Sequence, residues 1–182
     1  MSLRLETERL NLQPFIKEDA NRIKELAKNK ELATILGLPY PYELEHAEEW
    51  IAIQPELIQE GLEYPLTIVT KNENQIIGTI TLRIDKNNNK GELGYWIGRD
   101  FWGNGFATEA VNRMIEFGFK HLDLNKVWAS AISRNKASII VLEKAGLQKE
   151  GRLKQNRLLH NKYEDVDIYG LLKTEYNSVS SI

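Results

Sequence analysis

Cysteine is absent from the chain of 182 residues. That excludes disulfides, thiolate metal sites and a cysteine nucleophile. No apolar run approaches the roughly 20 residues a membrane helix needs. The opening Met1-Ser2-Leu3-Arg4 lacks the apolar core of a secretory signal. A cytoplasmic protein with no membrane partner is therefore expected. Net charge is only -2, and acidic and basic residues are interspersed. The clustered basic face that nucleic-acid binding needs is missing. His46, His121 and His160 share no ligand spacing, so no metal site is expected. There is no internal repeat, low-complexity tract or Pro/Gly/Ser linker. One domain over 1–182 is expected, with a core of about 5–173 and a frayed polar tail over 174–182.

What is present is ordinary for a globular protein: 42% hydrophobic and 27% charged residues. Leu3, Leu5, Thr7, Leu10, Leu12 and Phe15 read as a first strand. Ala20, Ile23, Leu26 and Ala27 have helical spacing. A second helix is expected over about 43–60, bent or broken by Pro55. Pro65–Lys71, Gln75–Asp85 and Glu92–Ile97 read as strands separated by asparagine-rich turns. Ala107, Ala110, Val111, Met114 and Ile115 make a strong helical stripe. Lys126–Ile132 is a strand. Asn135 caps a short helix that ends at Gly146. Leu147–Leu159 and Lys162–Leu172 close the chain as a hairpin around His160-Asn161. The sum is an α+β protein, with a mixed sheet carrying helices.

The most informative stretch runs from Gly91 to Ala110. A strand enters the turn Phe101-Trp102-Gly103-Asn104-Gly105-Phe106, and the turn opens a helix. Glycines at 103 and 105 let backbone approach a ligand closely. A helix N-terminus adds unpaired N–H groups and a positive dipole end, which suit a pyrophosphate. Three readings fit these residue types: a tight turn with no ligand, a Rossmann dinucleotide turn, or a coenzyme A pyrophosphate loop. The Rossmann spacing is poor, because Gly-x-Gly-x-Ala stands in place of Gly-x-Gly-x-x-Gly and the next strand does not end in a carboxylate. A P-loop is excluded, since no Gly-Lys-Ser/Thr occurs.

Gly94-Tyr95-Trp96-Ile97 followed by Phe101-Trp102-Gly103-Asn104-Gly105-Phe106-Ala107-Thr108-Glu109-Ala110 resembles the acetyl-coenzyme A signature of the GNAT superfamily. The version is that of the ribosomal-protein N-terminal acetyltransferase (RimJ/RimL-like) branch. Thr7-Glu8-Arg9-Leu10 resembles that branch's first strand. Asn135 through Ser138 and Glu143 through Leu147 resemble its Asn-x-x-Ser helix. Asp165 through Tyr169 resembles its last strand. Trp102 replaces the Gln or Arg common at its position in the wider superfamily, and Leu147 replaces a usual Phe. The resemblance implies a mostly antiparallel central sheet of about seven strands flanked by about four helices.

It also implies an enzyme that moves an acetyl group from acetyl-coenzyme A to a primary amine: a protein N-terminus, an amino acid, a polyamine or a similar small amine. The alternative is a non-catalytic module that binds or senses acyl-coenzyme A. On the enzyme reading, Trp102, Gly103, Asn104, Gly105, Phe106, Ala107 and Thr108 wrap the pyrophosphate. Ile97, Gly98 and Arg99 pair with the pantetheine arm, the Ile97 N–H stabilises the oxyanion, and Arg99 reaches a phosphate or is simply solvated. Glu92 is the candidate base, against a plain exposed strand residue. Ser138 is the candidate acid for the leaving thiolate, against a first-turn serine. Asn135 caps its helix and contacts the arm. Tyr40, Tyr42 and Trp50 line an acceptor pocket or are core, and a monomer or homodimer fits.

Overall fold

The computed structural model describes residues 3–179. Its strands are β1 (Leu5–Glu6), β2 (Leu10–Gln13), β3 (Glu63–Thr70), β4 (Ile76–Asp85), β5 (Lys90–Ile97), β6 (Lys126–Ile132), β7 (Gln148–Leu159) and β8 (Lys162–Leu172). The helices are α1 (Ala20–Ala27), α2 (Lys30–Leu36), α3 (Leu44–Ala52), α4 (Gln54–Gln59), α5 (Phe106–Lys120), α6 (Lys136–Lys144) and α7 (Lys173–Val179). All eight strands form one sheet in the order β1-β2-β3-β4-β5-β6-β8-β7. Every pairing is antiparallel except β5 with β6.

The sheet has one strand more than expected because Leu3–Phe15 is not continuous. The Thr7 hydroxyl accepts the Leu10 N–H at 2.8 Å and so folds the backbone into a turn. β1 and β2 then pair with each other. The helix count also rises. Asn29 caps α2 by accepting the Leu32 N–H at 3.0 Å, and Gly37 ends it at φ 70°. The stretch 43–60 splits at Ile53, and Pro55 sits in the first turn of α4, where its missing N–H costs nothing. The tail is not frayed throughout: residues 173–179 form α7, whereas 180–182 lie outside the described residues.

The layers follow from the patterning. Ala110, Val111, Met114 and Ile115 of α5 are buried against one sheet face together with Leu82, Leu93, Val127 and Ala129. Burying each large side chain of this kind contributes about 1.5–3 kcal/mol. The other face carries α1 and α3 over a second cluster of Phe15, Ala20, Ile23, Ala47 and Ile51, against which Trp96 packs. Alternate residues of β5 therefore serve different layers. Leu93 and Ile97 face α5, and Glu92 and Trp96 face the opposite side. No described helix is long and apolar enough to cross a membrane.

Candidate active site

Lys90 to Leu93 of β5 pair with Lys126 to Ala129 of β6, and there the parallel ladder stops. β4 stays paired with β5 as far as Ile97, and β8 stays paired with β6 as far as Ile132. The two central strands thus part while each keeps its outer neighbour, which opens a gap in mid-sheet. The Gly98 N–H donates to the Ile77 C=O at 2.7 Å, toward β4. Backbone groups alternate along a strand, so those of Ile97 and Tyr95 turn the other way, into the gap. There the Ile97 C=O already accepts the Trp102 indole N–H at 2.7 Å.

The glycine turn lies at one end of this gap. Gly103 and Gly105 have φ of 77° and 78°, left-handed conformations that L side chains rarely adopt. A Cβ on Gly103 would meet nothing within 4 Å, so the space before the turn is open. No side chain caps α5 at Gly105, and its first N–H groups stand uncovered. Asn104 braces the turn from within, its amide donating to the Phe101 and Trp102 carbonyls at 3.1 Å each. A groove of about 600 Å³ runs from here past Ile97 to α6. Gly105, Phe106, Ala107 and Thr108 line one side of it, and Asn135, Lys136, Ser138 and Lys144 line the other.

Across the gap stands the start of α6. The Asn135 Oδ1 accepts the Ser138 N–H at 3.2 Å, the cap the sequence suggests. The Tyr95 hydroxyl donates to the Ser138 C=O at 3.2 Å and lies 3.0 Å from the Ser138 hydroxyl. Burial pushes the Tyr95 phenol up to about 12, and the bond to Ser138 opposes this only in part. Beyond this pair a second cavity, of about 1080 Å³, opens on the Glu92 side of the sheet. Tyr95, Trp96, Asn135 and Ser138 line both spaces, so the groove and the cavity meet at the gap. Glu92 is half-buried on the cavity floor, between Arg83 and Trp128 in register. Among the described residues it has no ion pair or hydrogen-bond partner.

A family model described as the acetyltransferase (GNAT) domain matches residues 9–148. "Uncharacterized N-acetyltransferase p20" of Bacillus licheniformis is 34% identical over 173 residues, covering 94% of this chain and 97% of the relative. The chain belongs to the GNAT acetyltransferases. It is an acetyl-coenzyme A-dependent acyltransferase by family. Among solved structures, one of a "Probable acetyltransferase" superposes with a TM-score of 0.88 at 27% identity, covering 95% of this chain and 98% of the other. The ribosomal L7/L12 α-N-protein acetyltransferase RimL, solved with coenzyme A, shares the fold with a TM-score of 0.85 at 21% identity over 93% and 98% of the two chains.

Within this GNAT frame most of the expected residues converge. Ile97, Trp102, Gly103, Gly105, Phe106, Ala107, Thr108, Asn135 and Ser138 all line the groove, and Glu92 lines the adjoining cavity. Gly98, Arg99 and Asn104 do not line the groove. Gly98 is a packing residue, since a Cβ there would come within 2.6 Å of Leu26. Asn104 acts inside the turn. Arg99 is ion-paired with Glu31 of α2 and sits 5.6 Å from the Trp102 ring. Of Tyr40, Tyr42 and Trp50, the last two line the cavity.

Sequence reasoning gave Tyr95, Lys136 and Lys144 no role in the site. Tyr95 shares strand parity with Ile97, and that was a usable signal. The lysines had none, because only the docking of α6 beside α5 brings them to the groove.

Proposed function

We propose that this chain acetylates a primary amine, with the glycine turn and the start of α5 holding the pyrophosphate of acetyl-coenzyme A. The single observation that carries this reading is the uncapped head of α5 opening onto the gap between β5 and β6. Bare N–H groups and the helix dipole favour a doubly charged phosphate pair there. Lys136 and Lys144 add positive charge on the facing wall. The residues present fit the coenzyme: small side chains at the turn, an open strand edge for the amides of its arm, and a hydroxyl at the far end.

The arm lies along β5 from Ile97 toward Tyr95, joining the sheet edge as an added strand. Distance then decides the oxyanion donor. At about 3.3 Å per residue, Glu92 lies about 17 Å along the strand from Ile97 but only about 10 Å from Tyr95. Both N–H groups face the gap. The Ile97 N–H therefore holds the arm, and the oxyanion role passes inward to the Tyr95 N–H. Such a donor is worth about 3–4 kcal/mol of barrier.

The acceptor arrives protonated, as free amines are at neutral pH. Glu92 takes one proton through a water, freeing the nitrogen lone pair. The nitrogen attacks the thioester carbon, the C–N bond forms and the C–S bond breaks. The thiolate gains a proton from Ser138, which Tyr95 orients, and the second nitrogen proton restores the Ser138 hydroxyl as the amide forms. The balance is an acetamide, free coenzyme A and one proton released to solvent. Asn135 keeps its side-chain N–H groups for the arm while its oxygen caps α6.

Thiol release from acetyl-coenzyme A with a panel of amines tests this. Gly105→Glu fills the cradle with bulk and negative charge and should abolish coenzyme binding by calorimetry. Glu92→Gln should lower kcat by about 100-fold or more with coenzyme affinity little changed. Tight coenzyme binding with no thiol release from any amine would return the chain to the binding-module reading. Normal binding by the Gly105 variant would remove the turn from the site.

A further inference from the structure

The chain has four tryptophans. Three of them, Trp50, Trp96 and Trp128, line the cavity on the Glu92 side of the gap. All three are half-buried. Trp50 stands edge-on to Phe15, with ring centroids 4.8 Å apart. Trp128 lies directly across from Glu92 in the β5–β6 register. At about 1080 Å³ the space is at the upper end of small-ligand sites, roughly 300–1,000 Å³, and far exceeds what a short aliphatic amine fills.

The charges lining the cavity are as selective as its walls. Glu92 and Glu49 line it, neither with an ion pair or hydrogen bond among the described residues. Glu49 is exposed and Glu92 is half-buried. Two arginines also line it, both exposed. Arg83 lies 3.6 Å from Glu63, and Arg157 donates to the Leu36 C=O at 3.1 Å. The interior thus offers one uncommitted carboxylate, that of Glu92, for a cation. A polyamine would bring two or three ammoniums to one interior acid. Indole faces, by contrast, attract both flat rings and a single cation.

Resting on the acetyl-transfer reading, we propose that the acceptor is a monoamine carried on an aromatic body, its ring against Trp50, Trp96 and Trp128 and its ammonium at Glu92. The same chemistry occurs in a small arylalkylamine and in a peptide whose free N-terminus is followed by an aromatic side chain. The arms of the test separate these sources.

The test compares kcat/KM for 2-phenylethylamine, tryptamine, a tripeptide with an aromatic second residue, n-butylamine and spermidine, with acetyl-coenzyme A saturating. The aromatic amines should exceed n-butylamine and spermidine by about tenfold or more. Whichever of tryptamine and the peptide leads identifies the source. Trp128→Leu and Trp50→Leu should erase most of that preference while calorimetry shows unchanged coenzyme affinity and thermal melts show a folded protein. Quenching of tryptophan fluorescence by 2-phenylethylamine, against spermidine, reads the cavity without turnover. Preference for spermidine, or no discrimination among the amines, overturns the proposal. Absence of both quenching and turnover with aromatic amines overturns it too. Quenching without turnover of any amine upholds the aromatic cavity and removes the transfer reading instead.

Discussion

Arg9 ties the two ends of the glycine turn together through Glu109. Its Nε donates to the Glu109 carboxylate at 2.7 Å, and its Nη1 donates to the Asn104 C=O at 3.0 Å. The Arg9 backbone N–H and the Thr7 hydroxyl donate to the other Glu109 oxygen, at 2.9 and 2.6 Å. The guanidinium also covers the Phe106 ring at 4.6 Å. A turn in the β1–β2 connection thereby fixes the loop that opens α5. Thr7 and Arg9 of the Thr-Glu-Arg-Leu stretch, which the resemblance places in a first strand, both serve this clamp.

The pair is half exposed, with Arg9 46% and Glu109 18% accessible. Ion pairs of that kind stabilise a fold by about 1 kcal/mol or less. Arg9→Ala should therefore lower Tm only slightly. It should weaken coenzyme A binding by about tenfold, or about 1.4 kcal/mol, because the loop carbonyl at Asn104 loses its anchor. Arg9→Lys, which keeps the charge without the fork, should fall between the two. Calorimetry with coenzyme A, beside thermal melts, checks this. An affinity loss no larger than the stability loss would mean that the clamp serves only the fold.

The Tyr95–Ser138 contact separates chemistry from binding. Tyr95→Phe removes one hydroxyl beneath Ser138 and should lower kcat by about 2- to 10-fold, the worth of one ordinary hydrogen bond. Coenzyme affinity should hold, since the Ile97 N–H proposed to hold the arm is untouched. The alkaline limb gives a second readout. Burial raises the folded phenol from its ordinary 10 to about 12, against the Ser138 bond. The neutral form is favoured in the fold, so this contribution is complete below pH 10 and is lost as pH climbs toward 12. Wild-type Tm should fall more steeply across that window than the Tm of Tyr95→Phe. Parallel curves would mean that the hydroxyl is not buried.

Much of this was legible because local rules and tertiary structure agree. The α5 stripe, the Asn135 cap, Gly146 at φ 88° and the His160-Asn161 hairpin are each set by residues within a few positions. Failures came where a local signal was weak or was overridden. The Asn29 cap and the Gly37 stop bracket only seven residues, a helix too short for periodicity to reveal. The Thr7 turn looks like strand because Leu5, Leu10 and Leu12 all face the core. At the site, residue type pointed to the loop but not to the parting of β5 and β6. That parting depends on which outer neighbour each strand keeps, and no local pattern encodes it.

The last strand carries a carboxylate whose work is structural, and acid should reveal it. Asp167 of β8 is 1% exposed and holds β7 across the sheet edge. It accepts from Arg152 Nε and Nη2 at 2.6 and 2.9 Å, and Lys149 Nζ lies at 2.9 Å. The Arg152 bonds, with help from Lys149, outweigh burial and hold its carboxyl well below the ordinary carboxylate range. Glu109 is also held below its ordinary value, burial there being outweighed by the Thr7 and Arg9 bonds. A depressed folded value means stability that is present above the ordinary carboxylate range and is lost as pH falls through that range toward the folded value. Urea midpoints of the wild type should therefore be flat from pH 7 to about 5 and drop below about 4. Asp167→Asn should cost about 2 kcal/mol at pH 7, as for a charged hydrogen bond. The variant should also lose less on acidification, so the two curves draw together as pH falls. If they stay parallel, Asp167 does not carry the acid limb and its pairing with Arg152 is too weak to hold the β7 edge.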